Sequence, residues 1–137
     1  MGNIGEMKKV RPETLQLFNQ HKQDIIRKVV NISLQRQEEV THHGIKAKQV
    51  ITSGINFTTK MLESAIMTED VSLLHDQIIW AMDRLPHDGV RPEFILNRFN
   101  IYADVVNEIL PEDNSFEINQ YIYWMQSKLK ELIKEQK

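Results

Sequence analysis

The sequence predicts an all-α domain of about five helices, and three observations carry that prediction. Breakers are scarce, with 5 Gly and 4 Pro in 137 residues, and most of them fall at boundaries. Between the boundaries, apolar residues recur at steps of three, four and seven, the signature of one buried helical face. No segment of useful length alternates with the period of a strand. Hydrophobic residues make up 41% and charged residues 26%, a balance that supports a packed core in a single domain of common size.

Residues 1–11 read as a flexible N-terminal arm. They carry lysines but no apolar stretch after them, so they do not form a signal peptide. Residues 12–137 make the domain. Pro12 suits a first helical turn, and the first helix is expected to run to about Glu39 on the stripe Leu15, Phe18, Ile25, Val29 and Ile32. "EVTHHG" (Glu38 to Gly44) is the first break. The second helix spans about Ile45 to Met67, with Ile51, Ile55, Leu62 and Ile66 in line. "MTEDVS" marks a turn whose acidic residues favour a helix N-terminus. The third helix is short, about Val71 to Leu85, on Leu74, Ile78, Met82 and Leu85.

"PHDGVRP" (Pro86 to Pro92) is the clearest loop. Pro92 opens the fourth helix, which stops at Pro111. "NSFE" (Asn114 to Glu117) reads as a capping box before a closing helix that reaches about Glu135. The closing helix has a main stripe of Ile118, Ile122, Met125, Leu129, Leu132 and Ile133. Phe116, Tyr123 and Trp124 lie off it, as a second patch for a subunit or partner helix or as half-exposed surface. The fourth helix is apolar over a wide arc. The last two helices are therefore expected to pair with their copies as a four-helix bundle in a dimer.

The totals exclude several classes of function. A net charge of −2 with no basic stripe argues against a nucleic-acid binder. The absence of cysteine removes disulfides, cysteine-based metal sites and thiol catalysis, and it fits a cytoplasmic protein. No apolar run is long enough for a membrane span. No nucleophile elbow, phosphate loop, dinucleotide turn or HExxH metal motif occurs, so no enzyme, no metal site and no cofactor is expected.

One residue resists the bland reading. By helical arithmetic Arg98 lies roughly 60° from the centre of the apolar arc of the fourth helix. A buried arginine must be paired or reach water. It either pairs with a structural carboxylate such as Glu63 or Asp76, or faces a cavity and holds a ligand carboxylate with its planar fork. In the second case its apolar neighbours, Ile95, Tyr102 and Val105, line an acyl-sized pocket. His21 and His75, at the edges of core stripes, are either packed core residues or donors beside Arg98. His42 and His43 read as a surface pair. Gly54, inside the second helix, reads first as a close helix contact and second as room for a ligand. Met61 and Met67 read as core fillers.

"LFNQHKQDIIRKVVNISL" (Leu17 to Leu34) resembles the opening helix of the non-haem globin sensor domains of bacilli. So does the sequel of a second long helix, a short one and two long closing helices, over about Arg11 to Glu135. Such domains stand at the front of stressosome co-antagonists and some sporulation sensor kinases. They also occur as stand-alone, sporulation-inhibitory forms, which a chain ending at "KELIKEQK" with no transmitter domain resembles. The resemblance implies a globin-like fold without haem, a homodimer through the closing helices, and a fatty acid in an apolar tunnel with a halide nearby. It also implies competition for the signal of a sporulation sensor histidine kinase. Arg98, Tyr102, His75, His21 and Phe99 are candidate ligand contacts from helix-face arithmetic alone. Two alternatives stand beside this reading. One is a helical protein–protein interaction module without a small ligand. The other is a haem or gas-sensing globin hung from His75.

Overall fold

Pro12 sits in the first turn of α1 (Pro12–Leu34), where its fixed φ suits helix entry and its missing N–H is no loss. The computed structural model describes Met7, residues 9–84, His87 and residues 91–135. Along these, α1 is followed by α2 (Gln37–His43), a 3₁₀ turn (Gly44–Lys46), α3 (Ala47–Thr68), α4 (Val71–Arg84), α5 (Pro92–Ile109) and α6 (Glu112–Glu135). The fold is all-α, with no strand among the described residues. The five helices of 14 residues or more are those the periodicity anticipates, and the order agrees with a globin-like helical domain. The seven-residue α2 is additional.

The expected stripes form the core. Phe18, Ile25 and Val29 of α1, Ile51, Ile55 and Leu62 of α3, Leu74 of α4, and Ile118, Ile122 and Met125 of α6 are fully buried. The closing hairpin α5–α6 packs along its length, α1 lies across α3 and α5, and α4 rests on α3 and α6. Asn119 fastens the hairpin by donating from Nδ2 to the Ala103 carbonyl at 3.1 Å and to Asn107 Oδ1 at 3.0 Å. The acidic turn behaves as expected. Glu69 takes the left-handed conformation that ends α3 (φ 54°), and Asp70 Oδ1 accepts the Ser72 N–H at 2.9 Å.

Four expectations need correction. The first helix does not continue to Glu39. It ends at Leu34, Arg36 is extended (φ −84°, ψ 105°), and a new helix begins at Gln37. The capping box is not one. Asn114 and Glu117 lie inside α6, and Asn114 Nδ2 donates to Thr14 Oγ1 of α1 at 2.8 Å. Met67 is exposed, whereas Met61 is buried. His43 is not a surface residue, since its side chain is only 5% exposed. Residues 1–6 and 8 of the N-terminal arm, and Leu85, Pro86 and residues 88–90 of the "PHDGVRP" region, lie outside the described residues.

Candidate functional site

α5 is apolar over a wide arc and packs on α1 and α6, and Arg98 is among its buried residues. The residue is 3% exposed. Its charge is met by Glu39 of α2, itself 4% exposed, and not by Glu63 or Asp76. Nη2 donates to Glu39 Oε2, and Nε donates to Oε1 at 3.4 Å, so one edge of the guanidinium is committed to the carboxylate. Glu63 pairs instead with Lys22 of α1, at 2.9 Å. The break at Arg36 turns Glu39 toward α5 as part of a separate helix.

The other end of the guanidinium stands over Gly54 of α3. A Cβ built on Gly54 would overlap Arg98 Nη1. The glycine therefore makes room for an arginine, where close helix packing was the first expectation.

Arg98 and Gly54 together form part of the wall of a cavity of about 490 Å³ between α3, α4 and α5, closed at one point by Leu129 of α6. That size falls within the range of roughly 300–1,000 Å³ typical of small-molecule pockets. Its buried wall is mostly apolar, with Met61, Ile78, Met82 and Phe99, and Thr58 and Arg98 are its buried polar members. Its rim carries exposed Lys46, Gln49 and Ser53, with Trp80 half exposed. The Trp80 ring lies 5.8 Å from that of Phe57 and beneath the Arg84 guanidinium.

Of the five candidate contacts, Arg98 and Phe99 line this cavity. The other three do not. Tyr102 is fully buried in the core, where its hydroxyl lies 2.8 Å from Thr59 Oγ1 and burial pushes its ionisation far above the ordinary phenol value. His21 on α1 and His75 on α4 are half-buried. No histidine lines the cavity, and no cluster of three or more metal-ligating side chains occurs among the described residues.

The residues that sequence reasoning missed are Glu39 and His43. His43 Nε2 lies 3.4 Å from Glu39 Oε2, and it is buried without a hydrogen-bond partner. Its ring packs edge-on to Phe94 of α5, which is 2% exposed, and to His42. Desolvation by burial lowers the imidazole's proton affinity. Glu39 opposes that shift, while His42 and Arg98 reinforce it, and the net result lies below the ordinary value of 6.5. Beyond Glu39, a smaller cleft of about 240 Å³ is lined by Arg36, Glu38, Glu39, Phe94 and Asn97.

Two sequence features mark these residues, although neither identifies them as partners of Arg98. Glu39 stands seven residues after Ile32 and so extends the apolar stripe of α1 with an acid. Glu38-Glu39 followed by His42-His43 is the acid-first, base-last pattern of a short helix.

Comparison of the chain with protein-family models, with curated proteins and with solved structures gives no match.

Proposed function

We propose that this domain is a non-enzymatic binding module for an amphiphilic molecule with an acyl-sized apolar body, of which a fatty acid is the type. The observation that supports it is the apolar cavity between α3, α4 and α5 with a buried arginine in its wall. Met61, Ile78, Met82 and Phe99 supply the burial that drives entry, and Arg98 with the rim lysine supplies polar recognition of a head group. The halide and the competition for a sporulation kinase's signal are carried by the family resemblance alone. They define the biological version of the same reading, in which the domain withholds a ligand from a sensor.

The test is native mass spectrometry of the full chain as purified, followed by titration with decanol or decanoic acid monitored through Trp80. Co-purified acyl chains or a saturable fluorescence change are expected. An unliganded mass together with a flat titration sinks the reading.

A second reading has its own observation. Phe116 and Tyr123 of α6, seven residues apart and so on one face, are 57% and 49% exposed. They support the expected dimer through the closing helices. In this reading Phe116→Lys with Tyr123→Lys turns a sedimenting dimer into a monomer, and a wild-type chain that sediments as a monomer removes it.

A further inference from the structure

The buried cluster behind the cavity has a charge problem that any acidic ligand would sharpen. Glu39 and Arg98 neutralise each other, and His43 sits beside them with its Nε2 buried and unpartnered. The wall that Arg98 presents to the cavity is therefore close to neutral. A carboxylate arriving at the Nη1 end, over Gly54, would leave one uncompensated negative charge in a buried site, which is strongly unfavourable.

Lys46 at the exposed rim stays in water, and within the buried cluster His43 is placed to balance it. A second ring proton makes both nitrogens of His43 donors, so an Nε2–H would point at Glu39 Oε2, 3.4 Å away, and would bring a positive charge that the neutral Nε2–H tautomer does not. Glu39 would then be shared between Arg98 and His43, and Arg98 would be shared between Glu39 and the ligand.

We infer that the cavity takes a carboxylic acid together with one proton, the carboxylate resting on Arg98 and the proton on His43. This deepens the binding reading above and rests on it. The proton comes from solvent, whose O–H bond breaks as one N–H bond forms at the ring nitrogen that is bare in the neutral imidazole, and no other bond is made or broken. The cluster passes from Glu39⁻, Arg98⁺ and neutral His43 to Glu39⁻, Arg98⁺, His43⁺ and ligand carboxylate, so its net charge stays at zero.

The surroundings are consistent with this. The charged and titratable groups near His43 are Glu39 and His42 on α2 and Arg98 on α5. Arg91 lies over the outer face of the Phe94 ring at 5.6 Å, and Arg36 and Glu38 share the polar cleft with Glu39. Lys46, on the turn that follows α2, stands at the cavity rim. Burial favours the neutral imidazole, and a second carboxylate nearby would favour its charged form.

The experiment is calorimetric titration of the full chain with decanoic acid and with decanol, at about pH 6 and about pH 8, the span in which an imidazole is poised. The acid is expected to bind more weakly as pH rises, by up to about tenfold per pH unit for one linked proton. Decanol is expected to bind equally at both. The heat of acid binding should change with the ionisation enthalpy of the buffer, which counts the proton directly. His43→Gln should flatten the acid's pH dependence and leave decanol binding intact.

If acid and alcohol bind without pH or buffer dependence, the proton linkage is wrong and the binding module stands. If the alcohol binds and the acid is excluded, the inference is overturned in the same way. A pH slope that persists in His43→Gln overturns the assignment to His43. If neither ligand binds at either pH, both readings fail together. Should His43→Gln not fold, the buffer dependence of the wild-type chain still decides.

Discussion

Two buried glutamates, each facing an arginine, do different work in this molecule. Glu117 of α6 is fully buried, and its carboxylate accepts the Arg11 backbone N–H at 2.7 Å, Arg11 Nε at 2.6 Å and Thr14 Oγ1 at 3.0 Å. Burial pushes its pKa up. The Arg11 backbone and side chain and the Thr14 hydroxyl outweigh that and hold it below the ordinary carboxylate value. Every donor comes from the start of α1, so Glu117 staples α1 to α6, and nothing near it lines the cavity. Among the described residues Glu39 accepts from Arg98, and a neighbouring histidine nitrogen is left without a hydrogen bond. A saturated polar network rigidifies. An incompletely satisfied one leaves an unfavourable contact that a ligand arriving together with a proton can relieve.

The largest expected effect separates the two by the fate of the arginine. Glu39→Ala leaves Arg98 buried and unpaired and should destabilise the chain by about 3–5 kcal/mol in urea unfolding. Glu39→Leu combined with Arg98→Met should recover most of that loss, because an apolar pair of similar volume has no charge to bury. A loss below about 1 kcal/mol for Glu39→Ala would mean that the guanidinium reaches water. The contrast between the two glutamates would then collapse.

Next comes Glu117→Gln, expected to cost about 1.5–3 kcal/mol, the usual range for hydrogen bonds to a charged group. Here pH sharpens the comparison. Glu117 has a lowered folded pKa, so its stabilising contribution is complete above its ordinary value of 4.5 and is lost as pH falls through the lowered one. His43 also has a lowered folded pKa. Its neutral form contributes fully above 6.5, and that contribution is lost as pH falls through its own lowered value. The two windows therefore open at different points in acid, with that of His43 opening first. Urea midpoints measured from about pH 7 to about pH 3 should fall in two stages. His43→Gln should remove the upper stage and Glu117→Gln the lower. A single stage unaffected by His43→Gln would show that the imidazole does not titrate with folding.

The helices were legible because periodicity and breakers are local properties. Pro12, Pro92 and the Glu69–Asp70 turn mark their boundaries by backbone chemistry that needs no partner. Arg98 was legible as an anomaly, because a charge on an apolar arc demands an explanation whatever the fold. Its partner was not. Glu39 is 59 residues away, and it meets Arg98 only because the chain breaks at Arg36, where neither Gly nor Pro announces a break. Asn114 and Glu117 misled for a related reason. Their spacing fits a local cap, yet their bonds run 100 or more residues away to α1. Tyr102 and the histidines at 21 and 75 shared the right helical faces with core residues. Facing the core does not distinguish a packed interior from a cavity, and that difference is set by how several helices meet.

The smallest effect concerns Gly54, and its sign carries the information. A glycine within a helix is destabilising relative to alanine by about 1 kcal/mol, so Gly54→Ala in α3 should stabilise the chain if the site were merely open. Here the new methyl would overlap Arg98 Nη1 while standing at an ordinary 3.5 Å from Cζ. The end of an arginine normally swings aside, but Glu39 holds the Nε–Nη2 edge of this one. In the wild-type background the alanine should therefore bring no gain, or a loss of up to about 1 kcal/mol, and should weaken decanoic acid binding. With Glu39→Leu and Arg98→Met already in place, the same substitution should stabilise by the full amount of about 1 kcal/mol. The sign change between backgrounds measures how firmly α2 positions the guanidinium at the cavity wall. Equal stabilisation in both backgrounds would show that Arg98 moves freely, and an arginine free to move would not need a glycine opposite it.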